Sequence, residues 1–202
     1  MHGILILLLR FALQIFSGLS LSLVPMNTRN WNILCWNIRG INGSDKWDSV
    51  RDKINESACS IVCLQETKRD HFDIPFLRKF LPRRFDKFDF VPSIGALGGI
   101  LVAWISNHFV GSILEKRQYG LTINFTSVVN LVTWKLTIVY GPCQDPLRTD
   151  FVTWLRDHIV HDDDNWIFLG ILTSTGHWKI GINKVEICRI LLHLTTSLAI
   201  LV

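Results

Sequence analysis

Residues 31–40 read Trp31-Asn32-Ile33-Leu34-Cys35-Trp36-Asn37-Ile38-Arg39-Gly40, and this stretch decides the fold. Ile33 and Cys35 alternate with Leu34 and Trp36, so both faces of an extended chain are apolar until Asn37 breaks one of them. A strand buried on both sides reads this way, whereas a strand with one wet face alternates apolar with polar. A second run, Ile61-Val62-Cys63-Leu64, has the same character and ends in Gln65-Glu66-Thr67-Lys68. Two such strands side by side would bring a carboxamide and a carboxylate together at one edge of a sheet. Ligand sites favour that place, beyond the carboxyl ends of strands.

Between the two runs, Ser44–Ser57 reads as a helix with Ser44 as N-cap and Asp45 in the first turn. Trp47, Val50 and Ile54 share its inner face, and Asp48, Arg51, Asp52 and Lys53 fill a solvated outer one. Strand, helix and strand (31–38, 44–57, 60–65) then form a crossover unit. From Phe72 to Phe90 aromatic and basic residues interleave: Phe76, Arg78, Lys79, Phe80, Arg83, Arg84, Phe85, Lys87, Phe88. Such mixing suits a nucleic-acid surface, with cations on phosphates and rings on bases. It suits equally a short amphipathic helix from Pro75 to Leu81 on the outside of a sheet, and this second reading is favoured. Gly95–Gly99 is a loop, followed by strands at 100–105, 109–116, 120–126 and 131–140 that read as an antiparallel meander. Asp145-Pro146 opens a further helix, with Asp as cap and Pro at its first position, and Leu147, Phe151, Trp154 and Leu155 form its buried stripe. His161-Asp162-Asp163-Asp164 reads as a solvated turn rather than a metal cluster.

A chain of 202 residues suits one domain. Its hydrophobic content is 49% and its mean hydropathy +0.28, with much of the excess at the two ends. The net charge of +4 permits a polyanionic partner without demanding one, and no basic tail is present. Cys35, Cys59, Cys63, Cys143 and Cys188 form no CxxC pair, and an odd count suits a reducing compartment and small buried thiols. No internal repeat or low-complexity segment interrupts the chain. Residues 1–25 form an apolar leader that would just reach across a bilayer, were Arg10 tolerated at about 2.5–3.5 kcal/mol. No Lys or Arg precedes the apolar run, so the charged start of a secretory signal is missing. A signal or anchor and untranslated sequence ahead of a start at Met26 are the two readings; the second is favoured and membrane association disfavoured.

Five segments carry a resemblance. They are Trp36-Asn37-Ile38-Arg39-Gly40, Leu64-Gln65-Glu66-Thr67-Lys68, Gly98-Gly99-Ile100-Leu101, Val139-Tyr140-Gly141-Pro142 and Asn165-Trp166-Ile167-Phe168-Leu169-Gly170. In this order, each at a strand end, they resemble the endonuclease/exonuclease/phosphatase superfamily. The likeness runs from about Met26 to Gly170 and is greatest to the endonuclease domain of plant LINE-type (non-LTR) retrotransposons. It implies an α/β (α+β) fold, a four-layer sandwich of two sheets covered by helices on their outer faces, here cut short at its C-terminal side. It also implies a magnesium-dependent (or manganese-dependent) DNA endonuclease whose partner is the DNA backbone, with no small-molecule cofactor, in the nucleus or cytoplasm.

Cleaving a phosphodiester needs a cation on the phosphate, a deprotonated water and help for the leaving oxygen. By the resemblance Glu66 is the metal ligand, and Asn37 bonds a phosphate oxygen or the metal's water shell. Tyr140 contacts the phosphate in the same way, and together the three are the catalytic candidates. Arg39 and Lys68, just past the strand ends, are candidates for binding the substrate backbone. The family next requires Gly-Asp-Phe-Asn, which activates the water, and later Ser-Asp-His. After Gly170 this chain reads Ile171-Leu172-Thr173, with neither carboxylate nor carboxamide.

The genetic code accounts for the gap. GAT-TTT-AAC encodes Asp-Phe-Asn, and the same letters read one nucleotide later encode Ile-Leu-Thr. Shifting the tail back by one nucleotide forces Leu at the His177/Trp178 junction and Glu at the Trp178/Lys179 junction, and permits a continuation like the family's. Residues 171–202 are therefore expected to be out of frame, His177 and His193 are not the family's histidine, and the apolar Ile187–Val202 end is not an evolved anchor. The expected product is a degenerate, inactive endonuclease domain, with a non-catalytic nucleic-acid- or partner-binding remnant and a small membrane-associated protein as the alternatives.

Overall fold

The computed structural model describes residues 6–11, 31–95, 97–141, 147–159 and 166–171. Cys143, Cys188, the Asp145-Pro146 cap, the His161–Asp164 turn and the tail beyond Ile171 lie outside these residues. Two sheets are present. The first has the order β1 (Ile6–Phe11), β2 (Trp31–Asn37), β3 (Ile61–Gln65), β5 (Ile100–Trp104), β4 (Lys87–Val91). The second runs β6 (Phe109–Arg117), β7 (Gly120–Ser127), β8 (Thr133–Tyr140), β9 (Trp166–Ile171).

Both faces of β2 and β3 are covered, as their unbroken apolar runs predict. Ile33, Cys35, Ile61 and Cys63 face the second sheet and meet Ile123, Phe125, Leu136 and Ile138 in the inter-sheet core. Leu34, Val62 and Leu64 face outward onto α1 (Trp47–Glu56), through its Val50 and Ile54. β2 and β3 are parallel, so the crossover through α1 is real, with Ile33 opposite Ile61 and Asn37 opposite Gln65. On the far side α3 (Leu147–Ile159) lays Phe151, Trp154 and Leu155 over Tyr119, Val139 and Phe168. The order helix, sheet, sheet, helix makes four layers.

Three local readings need correction. Ser44 does not cap a helix, because Ser44–Lys46 is already a 3-10 turn preceded by extended Gly43, and no side chain caps either start. Lys46 instead anchors the entry, its ammonium donating to the carbonyl oxygens of Ile38, Arg39 and Gly40 at 3.1–3.3 Å. Residues 100–104 do not belong to the meander: β5 pairs antiparallel with β3 and with β4, and only β6, β7 and β8 form the up-and-down run. Ile100–Trp104 is buried on both faces, as its interior place between β3 and β4 in the first sheet requires. The third correction is a strand, β4, within the aromatic-basic stretch.

The rest of that stretch is structural, as favoured. Asp73 caps the short helix α2 (Ile74–Leu77) by accepting from the Phe76 amide at 2.8 Å, and turns continue to Leu81. Phe72, Phe76, Phe80 and Phe85 are buried under the first sheet, while Lys79, Arg83 and Arg84 stay at the surface. The Arg69 guanidinium, just ahead of this stretch, stacks 3.6 Å from the Phe76 ring centroid. Replacing fully buried Phe80 by alanine should cost about 3–5 kcal/mol in urea unfolding. A loss under about 1 kcal/mol would return these rings to a ligand surface.

Cys35 and Cys63 sit opposite each other on β2 and β3, free and buried, with Cys59 nearby. Burial pushes the Cys35 thiol from 9.0 up to about 12. It raises Cys63 well above 9.0, with Cys35 and Cys59 adding to the effect, and raises Cys59 as well. Above pH 9 the unfolded chain sheds these protons while the native chain keeps them, so stability falls as pH rises from about 9 towards 12. In the native protein Cys35, Cys59 and Cys63 should resist alkylation at pH 8, and the fold should be lost on titration to higher pH. Labelling of Cys35 as fast in buffer as in urea would refute the buried placement.

Candidate functional site

The site is built where β2 and β3 end. Asn37, buried at 7% exposure, is the last residue of β2, and its Nδ2 donates to Glu66 Oε1 at 2.7 Å. The Arg39 amide donates to Asn37 Oδ1 at 3.2 Å, which turns the carboxamide so that its donor faces the carboxylate. Alternation along β3 would send Glu66 outward with Leu64. A left-handed backbone at Glu66 (φ 52°) breaks that alternation, and Arg39 (φ 51°) and Lys68 (φ 54°) share the conformation. Three non-glycine residues in this region within two adjacent loops are unusual, and such outliers cluster at functional sites where the surroundings hold them in place.

The surroundings do hold them. Ile38, Gly40 and Ile41 amides donate to the Gln65, Glu66 and Thr67 carbonyls, lacing the two loops together. Thr67 and Lys68 amides donate in turn to Gly99 and Gly98 at 3.1 and 3.0 Å. Gly99 (φ 88°) lies so close to the Thr67 hydroxyl that a Cβ there would overlap it, which explains the glycine before β5. The Tyr140 ring lies 3.8 Å from where a Cβ on Gly98 would stand, placing it beside the same loop. Asn37, Glu66 and Tyr140 therefore gather at one edge, with exposed Arg39 and Lys68 at its rim.

Residues missed by sequence reasoning hold this edge together. Gln65 is wholly buried and spans the inter-sheet gap, donating from Nε2 to the Val139 carbonyl at 2.6 Å. That bond fixes the end of β3 against the residue preceding Tyr140. Gly170 packs against the same carbonyl so tightly that any Cβ would overlap it. A shallow pocket of about 280 Å³, lined by Asn42, Lys68, Arg69, Asp70, Ser93 and Gly95, continues the rim. A polar side chain at a buried strand position was the available sequence signal for Gln65; nothing marked Lys46 or Arg69.

The fold is that of the endonuclease/exonuclease/phosphatase proteins. An AP endonuclease, LMAP, from Leishmania major superposes with a TM-score of 0.52 at 16% identity over 69% of this chain and 54% of its own. The catalytic domain of Xenopus laevis APE2 gives 0.48 at 17% identity, over 70% of this chain and 58% of its own. The endonuclease domain of TRAS1, a telomere-specific non-LTR retrotransposon, gives 0.48 at 12% identity, over 69% and 59%. The chain thus spans little more than half the length of these structures. No protein-family model and no curated protein matches the sequence.

Magnesium takes one or two protein carboxylates and fills its octahedron with waters and substrate phosphate oxygens. Glu66, hydrogen-bonded to Asn37, is the residue here that could supply one such carboxylate. Among the described residues no three His, Cys, Asp or Glu side chains come together. The donor set fits half of such a site. β9 runs parallel to β8 and pairs Ile171 with Tyr140, so the residue after Gly170 arrives at this same edge. Among the described residues no helix is long and apolar enough to cross a membrane.

Proposed function

We propose that this chain is a LINE-type retrotransposon endonuclease domain, by descent a magnesium-dependent DNA nickase and in its present sequence inactive. The observation that carries the reading is the 2.7 Å Asn37–Glu66 pair held between left-handed turns at the strand ends. A carboxylate oriented by a carboxamide suits a ligand for a divalent cation, and Tyr140 with Arg39 and Lys68 suits a phosphodiester backbone. The pairing of Ile171 with Tyr140 supports the other half of the reading. A carboxylate following Gly170 would lie at this edge, where a water attacking the phosphate could be deprotonated, and isoleucine supplies none.

Sequencing the locus across codon 170 is the direct test: one base missing after the Leu169 codon is expected. An uninterrupted frame that encodes Ile171 to Val202 in a genuine transcript would end the account of a slipped frame. A binding remnant is the second reading, favoured by the exposed cations of the rim. It requires salt-dependent retention of DNA that Glu66→Ala leaves unchanged.

A further inference from the structure

Two large apolar side chains stand in water beside the candidate site. Ile94 is 60% exposed and Leu97 67%, and they pair across a tight turn ahead of β5. The turn is stiff. The Ile94 amide donates to the Leu97 carbonyl at 3.1 Å, and the Leu97 amide donates back to Ile94 at 3.2 Å. Its stems are tied to the rim, the Ser93 amide donating to the Arg69 carbonyl at 2.9 Å and the Lys68 amide to the Gly98 carbonyl at 3.0 Å. Leu97 also adjoins Gly98, against which the Tyr140 ring lies. By contrast, exposed Val128, Val129 and Leu131 sit in the β7–β8 turn, at the end of β8 opposite Tyr140.

A lone exposed leucine is ordinary on any surface. A pair mounted on a rigid turn next to fixed cations has a physical use. Lys68 and Arg69 line the rim pocket together with Ser93 and Gly95, two cations against the single carboxylate of Asp70. The Arg69 guanidinium is held in place, its Nε donating to the His71 carbonyl at 2.6 Å and its Nη1 to Asn42 Oδ1 at 3.2 Å. We propose that the Ile94–Leu97 turn is a wedge that enters double-stranded DNA at a base step while Lys68 and Arg69 hold the neighbouring backbone phosphates. The proposal rests on the nucleic-acid reading of this edge. Isoleucine and leucine are among the side chains that slip between bases and kink a duplex. Unstacking the step costs free energy, which the phosphate contacts alongside offset. A slack turn would fold back under that load, and this one is braced on both stems.

A short duplex carrying 2-aminopurine, which brightens when its base is unstacked, tests the proposal with the full chain fused to a soluble carrier. At low salt and saturating protein the fluorescence should rise at least about twofold. The double variant Ile94→Ser, Leu97→Ser should bind within about threefold of wild type, because phosphate contacts supply the affinity, and should lose the rise. Leu97→Met should keep it. Lys68→Ala should weaken binding and lower the salt dependence by about one unit of slope, with the rise at saturation unchanged. A bound duplex that never brightens, or one that brightens equally with the double variant, would overturn the wedge and leave the nucleic-acid reading standing. A double variant that no longer binds would overturn it too, since the turn would then be the principal contact. The same substitutions turning a dimer into a monomer without altering the rise would give the turn to a second copy of the chain. No retention of duplex even at low salt would overturn the nucleic-acid reading and the wedge with it.

Discussion

Supercoiled plasmid incubated with this chain and magnesium is expected to stay supercoiled, and a chain read from the restored frame is expected to nick it. The difference should be at least about 10²–10⁴ in rate, the usual worth of a general base, and a catalytic unit lacking several members falls towards background. The retained residues are insufficient on the proposed reading. Asn37 and Glu66 are paired at 2.7 Å and can orient a phosphate-bound cation, but neither is arranged to take a proton from water while serving that role. On that reading the activating carboxylate belongs at the position that pairs with Tyr140, where Ile171 stands. In the restored chain Glu66→Ala should abolish nicking, while Lys68→Ala should weaken substrate binding without removing the chemistry. Magnesium-dependent nicking by the chain as it stands, abolished by Glu66→Ala, would overturn the reading of an inactive domain.

Gln65→Glu is expected to destabilise the fold severely at neutral pH and to recover in acid. Gln65 is fully buried and its Nε2 donates to the Val139 carbonyl across the inter-sheet gap. A carboxylate there loses the donor, faces a carbonyl oxygen and is charged in an apolar interior, for which several kcal/mol is the ordinary cost. Burial would raise the folded-state pKa of the new carboxyl above its unfolded value. Its contribution is therefore intact at pH values below the unfolded pKa and is lost as pH rises through the folded one. Protonated, the carboxyl can donate to Val139 as the amide did. Thermal melting should show a deficit at pH 7 that shrinks as pH falls towards 4. Gln65→Leu separates the two effects, since it loses the bond without adding charge and should show a smaller, pH-independent loss. Identical melting of Gln65→Glu and wild type at pH 7 would mean that the bridge contributes nothing.

Surface and edge properties bear on both experiments. Val110 and Leu114 are exposed on edge strand β6, and Leu131 is 75% exposed in the β7–β8 turn. A register shift between Ile113 and Glu115 twists that edge, and Glu115, Lys116 and Arg117 put charge along its far end. Bulges and charges of this kind discourage edge-to-edge pairing. The apolar exposure remains, so expression as a carrier fusion is the practical route to the variants above.

Much of the architecture was legible along the chain. Unbroken apolar runs at 31–36 and 61–64 announced strands buried on both faces, because side-chain alternation reports which faces meet water whatever the partner is. The same runs ended in Asn37 and Glu66, so a polar cluster at the strand ends was legible too. Partner choice was not. Ile100–Trp104 reads as a buried strand in either sheet, and only packing assigned it to β3. The left-handed turn that swings Glu66 onto Asn37 depends on amides of the neighbouring loop, and the Gln65 bridge joins residues 74 positions apart. Periodicity is a local property of the chain, whereas pairing, register and the aim of a strand-end side chain are settled by which distant backbone groups must find each other once the core excludes water.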